Sequence, residues 1–190
     1  MEEKTKDILR ACAELHERLV EQSGQIEQAG ARLAGVLRAG GAVYVMGNGG
    51  SAADAQHMAG ELVGRFMMER RALPCVALNT DTSIMTAVAN DYGFDSVFVR
   101  QVAALVKEGD AVIGISSSGD SANVNAAIAE ARRRGALTIG LAGKGGGALA
   151  KECDLAIVVP SDVTPRIQEA HGTIIHILCG LIERDVFGDR

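Results

Sequence analysis

The chain has 190 residues, enough for one domain with a substantial core. Its 19 Lys and Arg against 24 Asp and Glu leave a formal charge of −5, and no like-charge block exceeds Arg132-Arg133-Arg134, so no basic face for a nucleic-acid duplex is written. Aromatic residues are only 3%, with no Trp, which argues against stacking platforms for bases or free sugars, and no apolar run of about 18 residues offers a membrane span.

Residues 2–22 place Ile8, Cys12, Leu15 and Leu19 on one narrow apolar stripe of a charged helix that breaks at Ser23-Gly24. A second helix runs to about Arg38, with Ile26, Ala29, Leu33, Val36 and Leu37 inward, and stops at Gly40-Gly41. Residues 1–40 are thus expected to form an N-terminal helical segment for packing or oligomerisation, ahead of a domain at 41–190. So thin a stripe suits a second chain or the protein's own sheet equally well.

From residue 42 the period changes. Apolar strands are expected at 42–46, 74–78, 110–115, 136–141 and 155–159. Helices are expected at 51–68, 82–89, 94–106, from the serine loop to 134, and from Pro165 to about 187. Continuous apolar strands alternating with helices specify an α/β fold, a doubly wound five-stranded parallel sheet flanked by helices. Cys12, Cys75, Cys153 and Cys179 stand far apart with no C-x-x-C, and the charged N-terminus has no secretory apolar region. Buried thiols in a cytoplasmic protein are the expectation.

In such a sheet, ligands bind beyond the carboxyl ends of the strands. Two loops there suit a phosphate. Gly47-Asn48-Gly49-Gly50-Ser51 lets backbone N–H groups approach a ligand, with Ser51 at the expected N-cap. Ser116-Ser117-Ser118-Gly119-Asp120-Ser121 adds hydroxyls, with Ser121 capping the next helix. Helix dipoles supply positive potential without Lys or Arg. Gly47-x-Gly49-x-x-Ala52 formally matches a dinucleotide fingerprint, but that fingerprint wants an acidic residue about 20 positions on at the tip of the next strand, and here the next strand ends later, near Asn79. Lys144 is followed by Gly145, so no Walker loop is present. Ordinary strand-to-helix turns are the bland reading; a monophosphate pocket is the leading one.

His57 and Glu61, one turn apart on one helix, can meet a single atom, and Arg65 continues their row. Gln168 and His176 lie on the last, apolar helix, where polar groups need partners. These four suit a divalent metal such as zinc, although surface pairs and hydrogen-bonded core histidines are commoner fates for each taken alone. Eight helical residues rise about 12 Å, so Gln168 and His176 scarcely reach one ion from one helix. Long side chains around the ion, or a neighbouring subunit, would have to close that gap. His16 and His171 have no such companions.

The run Gly47 to His57, then Glu61, Asn90-Asp91-Tyr92-Gly93, Gly114 to Gly119, Ser121-Ala122-Asn123, Arg166-Ile167-Gln168-Glu169 and His176 together resemble the sugar isomerase (SIS) domain family, and within it the heptose-phosphate isomerases. The resemblance covers essentially the whole chain. It implies a single SIS domain in a cytoplasmic homotetramer with active sites at subunit contacts. The implied reaction turns sedoheptulose 7-phosphate into D-glycero-D-manno-heptose 7-phosphate, toward lipopolysaccharide or other surface glycans. It implies zinc, one per subunit, on His57, Glu61, Gln168 and His176. It implies substrate contacts at Asn48, Gly49, Gly50, Ser51, Glu61, Asn90, Asp91, Ser116, Ser117, Ser118, Ser121 and Gln168. Glu61 would be the base and His176 the acid of an enediol proton transfer.

Two residues depart from the family. Asp120 would be unfavourable beside a phosphate unless turned away, and Pro165 stands where some members carry an acid before Arg-Ile-Gln. The rival readings are non-catalytic: a DnaA initiator-associating protein, or a sugar-phosphate-binding regulator. The first lacks the counterparts of Glu61 and His176, both present here, and the second usually accompanies another domain.

Overall fold

The computed structural model describes residues 2–188, so Met1, Asp189 and Arg190 lie outside the described residues. Five parallel strands, β1 (Val43–Gly47), β2 (Cys75–Ala77), β3 (Ala111–Ser116), β4 (Leu137–Ala142) and β5 (Leu155–Val158), form one sheet in the order β2-β1-β3-β4-β5. The helices are α1 (Glu2–Leu19), α2 (Ser23–Arg38), α3 (Gly50–Val63), α4 (Thr82–Tyr92), α5 (Val99–Leu105), α6 (Ala122–Arg133), α7 (Leu149–Glu152) and α8 (Thr164–Phe187). Every residue of β3 is buried, as expected of a central strand covered on both faces.

Alternation along the strands divides the core in two. Val43, Val45, Ile113, Ile115, Ile139 and Leu141 face a cluster with Leu33 and Leu37 of α2, Met58 and Leu62 of α3, and Ile174 and Leu178 of α8. Met46 and Val112 face the opposite cluster, with Phe98, Val102, Val124, Ile128 and Leu149. The paired strand glycines Gly114 and Gly140 let helices close down on this second face: a Cβ at Gly114 would overlap Val124, and one at Gly140 would crowd Leu149. Each fully buried Leu or Ile here is worth about 1.5–3 kcal/mol of transfer free energy.

Several boundaries differ from expectation. The break between the first two helices is a turn of 3-10 helix at Val20–Gln22, and Ser23 is the first residue of α2 rather than part of a breaker. Only the last turns of α1 sit on the core: Leu15 and Leu19 are buried, whereas Ile8 is 45% exposed. α3 ends at Val63, five residues short of the expected 68, because Gly64 departs from helical geometry and Arg70 takes over its carbonyls. The expected helix at 94–106 is a 3-10 turn, Phe94–Ser96, followed by α5, and the short α7 has too few residues to leave a periodic signal.

All four cysteines are free thiols, Cys75 and Cys179 buried, Cys12 and Cys153 half-buried. Burial pushes the Cys75, Cys153 and Cys179 thiols up to about 12, which leaves them uncharged. Among the described residues, no helix is long and apolar enough to cross a membrane.

Candidate active site

From β1 the chain connects to β2 on one side of the sheet, whereas β3 continues to β4 on the other, so the crevice beyond β1 and β3 is the topological switch point. The glycine loop leaves β1 there and the serine loop leaves β3. Gly49, at φ 58°, is the N-cap of α3. Ser51 is therefore inside the first turn and buried, not the cap that its residue type suggested. The Asn48 and Asn123 side-chain amides exchange two hydrogen bonds of 2.9 Å, locking the glycine loop to the first turn of α6. The N-termini of both helices point at this crevice; Ser51 and Ala52 N–H bond back to the Asn48 and Gly49 carbonyls and Val124 N–H to Asn123 Oδ1, so the helix dipoles and the remaining first-turn N–H groups make the anion site.

In the serine loop, Ser116 Oγ lies 2.9 Å from Ser121 Oγ and 3.4 Å from Ser118 Oγ, and accepts the Gly119 N–H at 3.1 Å. Ser121 occupies the N-cap of α6, but its hydroxyl is spent on Ser116 rather than on a backbone N–H. Ser117, Ser118 and Ser121 are half-buried. Asp120 turns away from the loop's hydroxyls: its Oδ1 accepts the Ala148 N–H at 2.9 Å and ties down the glycine run 145–147. The unfavourable acid noted in the sequence is thus a loop anchor.

α3 and α8 run side by side in parallel. At their upper end Gly50 has no side chain, and a Cβ there would overlap the Gln168 amide. Further along, His57 Nε2 lies 3.2 Å from His176 Nε2 and 3.2 Å from Glu61 Oε1. The ligand atoms of His57, Glu61 and His176 all lie within 4.8 Å of one another. Two imidazole nitrogens and a carboxylate oxygen gathered this closely are a donor set whose chemistry suits zinc. Gln168 stands with Gly50, eight residues up α8 from His176.

Asn90 and Asp91 close the far end of α4, where Asn90 Nδ2 donates to Asp91 Oδ1 at 2.8 Å. Both are exposed, and among the described residues no hydrogen bond links them to either loop. Arg65 lies past the end of α3, exposed, with Nε 3.8 Å from Glu69 Oε2, so it does not continue the His57–Glu61 row. Asp54, one turn before His57, is half-buried with Oδ2 unpaired; burial raises its pKa while His57 opposes the shift.

The sequence reading missed a buried ion pair beneath the cluster. Glu183 of α8 accepts the N–H groups of Phe66, Met67 and Met68 at 2.9, 2.9 and 3.0 Å and Arg70 Nε at 2.8 Å. Burial works to raise the Glu183 pKa, but these donors outweigh it and hold the carboxyl below its ordinary value. Arg70 donates in turn to the carbonyls of Glu61 and Leu62 at 2.8 Å. The available signal was a carboxylate directly after the buried Ile182 of an apolar helix, seven residues beyond His176.

A 2-1-3-4-5 parallel sheet with hydroxyl and glycine loops at its switch point and a His-Glu-His cluster beside them defines a SIS-domain protein, and the SIS domain family matches residues 8–143. More narrowly, the chain belongs to the phosphoheptose isomerase family, and is an isomerase. It is 60% identical over 157 residues to the phosphoheptose isomerase of Pelobacter propionicus, covering 83% of each chain. It is 54% identical over 188 residues to that of Geobacter sp. (strain M21), covering 98% of each. Its fold is similar to phosphoheptose isomerase GmhA from Neisseria gonorrhoeae, with TM-score 0.91, 40% identity, and 96% and 98% of the two chains covered.

Proposed function

We propose that the protein converts sedoheptulose 7-phosphate to D-glycero-D-manno-heptose 7-phosphate, supplying heptose for lipopolysaccharide or other surface glycans. The observation that carries this reading is the meeting of Glu61 and His176 beside His57, on two helices next to the crevice between the glycine and serine loops. It is also what disfavours the non-catalytic readings, which have no use for that pairing.

In the reaction, the Glu61 carboxylate takes a proton from C1 while a His176 ring N–H protonates the carbonyl oxygen on C2, giving a 1,2-enediol. The proton then returns to C2 and the O1 hydroxyl proton leaves, so the aldehyde forms at C1 and nothing is gained or lost. The phosphate is held by the hydroxyls of Ser116, Ser117, Ser118 and Ser121 and by the N–H groups around Asn48, Gly49, Gly50 and Ser51. No basic residue is required, so a net charge of −5 does not oppose an anionic substrate.

His57, Glu61 and His176 would hold one zinc per subunit, whose charge would stabilise the oxyanion of the enediol. Gln168 completes the set in an assembled homotetramer, from a neighbouring chain, because its own helix sets it about 12 Å of rise from His176. Asn90 and Asp91 reach substrate by the same route. Support for assembly comes from α4, which buries no residue and leaves Ile84 and Tyr92 exposed, and from the exposed Ile8 and Leu9 of α1. Within residues 1–40 the exposed side of α1 serves that packing, while α2 buries Ile26, Leu33 and Leu37 in the core shared with the domain at 41–190, in the cytoplasm. The two roles of His176 compete for one atom, since a nitrogen that lends its lone pair to a cation carries no proton, and Nε2 is the nitrogen facing His57.

Purified protein supplied with zinc is expected to isomerise sedoheptulose 7-phosphate, and an inactive wild type would defeat the proposal.

A further inference from the structure

We propose that Phe66 is a positioning residue for the His176 imidazole, and that the buried Arg70–Glu183 pair is the clamp that holds Phe66 in place. The inference rests on the isomerase reading above.

The ring of Phe66 stacks on His176 at 5.6 Å between centroids and 27° between planes, while His57 meets the same imidazole edge-on at 4.8 Å and 87°. His176 is exposed, and His57 is the one hydrogen-bonding partner found for it among the described residues. A single partner at one nitrogen leaves the imidazole free to swing about its side-chain bonds; an aromatic face against the ring restricts that swing. Phe66 itself is outside any helix, three residues past the end of α3, and such a segment holds a ring in place only if its backbone is held.

Glu183 provides that hold. Its carboxylate gathers three consecutive backbone N–H groups, beginning with that of Phe66, in a cradle of charge-assisted hydrogen bonds. Seven residues separate Glu183 from His176, almost two full turns, so both project from the same face of α8. Arg70 ties the other helix into the assembly: its guanidinium, only 2% exposed, donates to the carbonyls of Glu61, Leu62 and Gly64 at the end of α3. One ion pair thus grips the backbone of Glu61 and the residue stacked on His176. An ion pair this deep costs desolvation that a pair of apolar residues would avoid. Here Arg70 Nη2 is aimed at the Glu61 carbonyl and Glu183 at the Phe66 N–H, so the pair grips backbone beside two groups of the site.

The test uses the full-length, zinc-supplied protein with sedoheptulose 7-phosphate, comparing Phe66→Leu, Phe66→Tyr and Glu183→Gln with wild type. Phe66→Leu is expected to lower kcat about tenfold, or ~1.4 kcal/mol in barrier, with KM within about twofold; because Phe66 packs on the core, the melting temperature falls somewhat but the variant stays folded at the assay temperature. Phe66→Tyr, which keeps the ring, is expected to restore most of kcat. The His176 ring-proton resonances should shift in Phe66→Leu, where the neighbouring ring current is lost, and also in Glu183→Gln, where the clamp is loosened. The Phe66 readouts stand even if Glu183→Gln fails to fold. A working wild type whose Phe66→Leu variant keeps kcat, or loses it only in proportion to lost folded protein, overturns the positioning role alone. A wild type that does not turn over the sugar phosphate while the resonances still respond overturns the isomerase reading, and the kinetic consequence of positioning by Phe66 with it.

Discussion

His57 and His176 face each other through their Nε2 atoms at 3.2 Å, across two helices that run in parallel register from the Gly50–Gln168 contact downward. Two neutral imidazoles can share one proton at that distance, but the Glu61 oxygen at 3.2 Å from the same His57 nitrogen competes for it. Three lone-pair donors converging on one point are resolved most simply by a cation between them.

Elemental analysis is therefore expected to find about one zinc per chain, bound through these three residues. His57→Ala should weaken zinc binding while leaving the fold intact, because His57 is exposed and outside the core. Gln168→Leu should weaken it only in the assembled protein, if the amide comes from a neighbouring chain. A fully active, metal-free enzyme would refute the ligand assignment and leave His176 Nε2 free to act as the acid.

Glu61→Gln removes the base but preserves the side chain's volume. Proton transfer by a positioned side chain contributes about 10²–10⁴-fold, and kcat is expected to fall by that order with KM nearly constant. His176→Asn should behave alike. Exchange of the C1 proton with deuterated solvent separates loss of the base from loss of binding: it should vanish in Glu61→Gln, and its survival would place the base elsewhere.

Gly50→Ala puts a methyl group where the Gln168 amide lies, and that flexible side-chain end must swing aside to admit it. The stability loss should stay below about 1.5 kcal/mol, as for a tolerated packing change, while KM for the sugar phosphate should rise because the same backbone lines the phosphate crevice. The variant Gly24→Ala, where open space surrounds the glycine, is the control expected to do neither.

Acid should weaken the fold in two steps of the same sign. His171 is fully buried, its Nε2 donating to the Ala142 carbonyl at 3.2 Å with Nδ1 unpaired, and burial lowers its pKa from 6.5 to about 4. Between those values the unfolded chain binds the extra proton, so stability falls as pH drops from 6.5, in total by on the order of 3 kcal/mol. The clamped Glu183 carboxyl lies below its ordinary 4.5, so its contribution is present above that pH and is lost as pH falls further. Urea midpoints measured across this range should decline accordingly, and His171→Asn should flatten the upper part of the curve. A decline unchanged in that variant would place the titrating group elsewhere.

Much of the fold was legible in the chain. Five apolar runs spaced by helical periods specify a parallel sheet because strands buried on both faces must be apolar throughout, and β3 is the clearest case. The glycine and serine loops were legible as well, since backbone N–H groups reach an anion only where side chains are small or hydroxylated. The one-turn spacing of His57 and Glu61 placed them together on local geometry alone. What lay beyond the sequence depends on contacts between distant segments. Ser51 passed from cap to buried first-turn residue because Gly49 takes the left-handed backbone conformation that starts α3. Asp120 changed from a repulsive acid to an anchor because the glycine run 145–147 comes back beside it. Arg70 and Glu183, 113 residues apart, carry no local signal of each other, and only packing α8 along α3 decides that their charges meet beneath His176. Local chemistry is written in spacing of three and four residues; the partners of a buried charge are decided by which surfaces exclude water together.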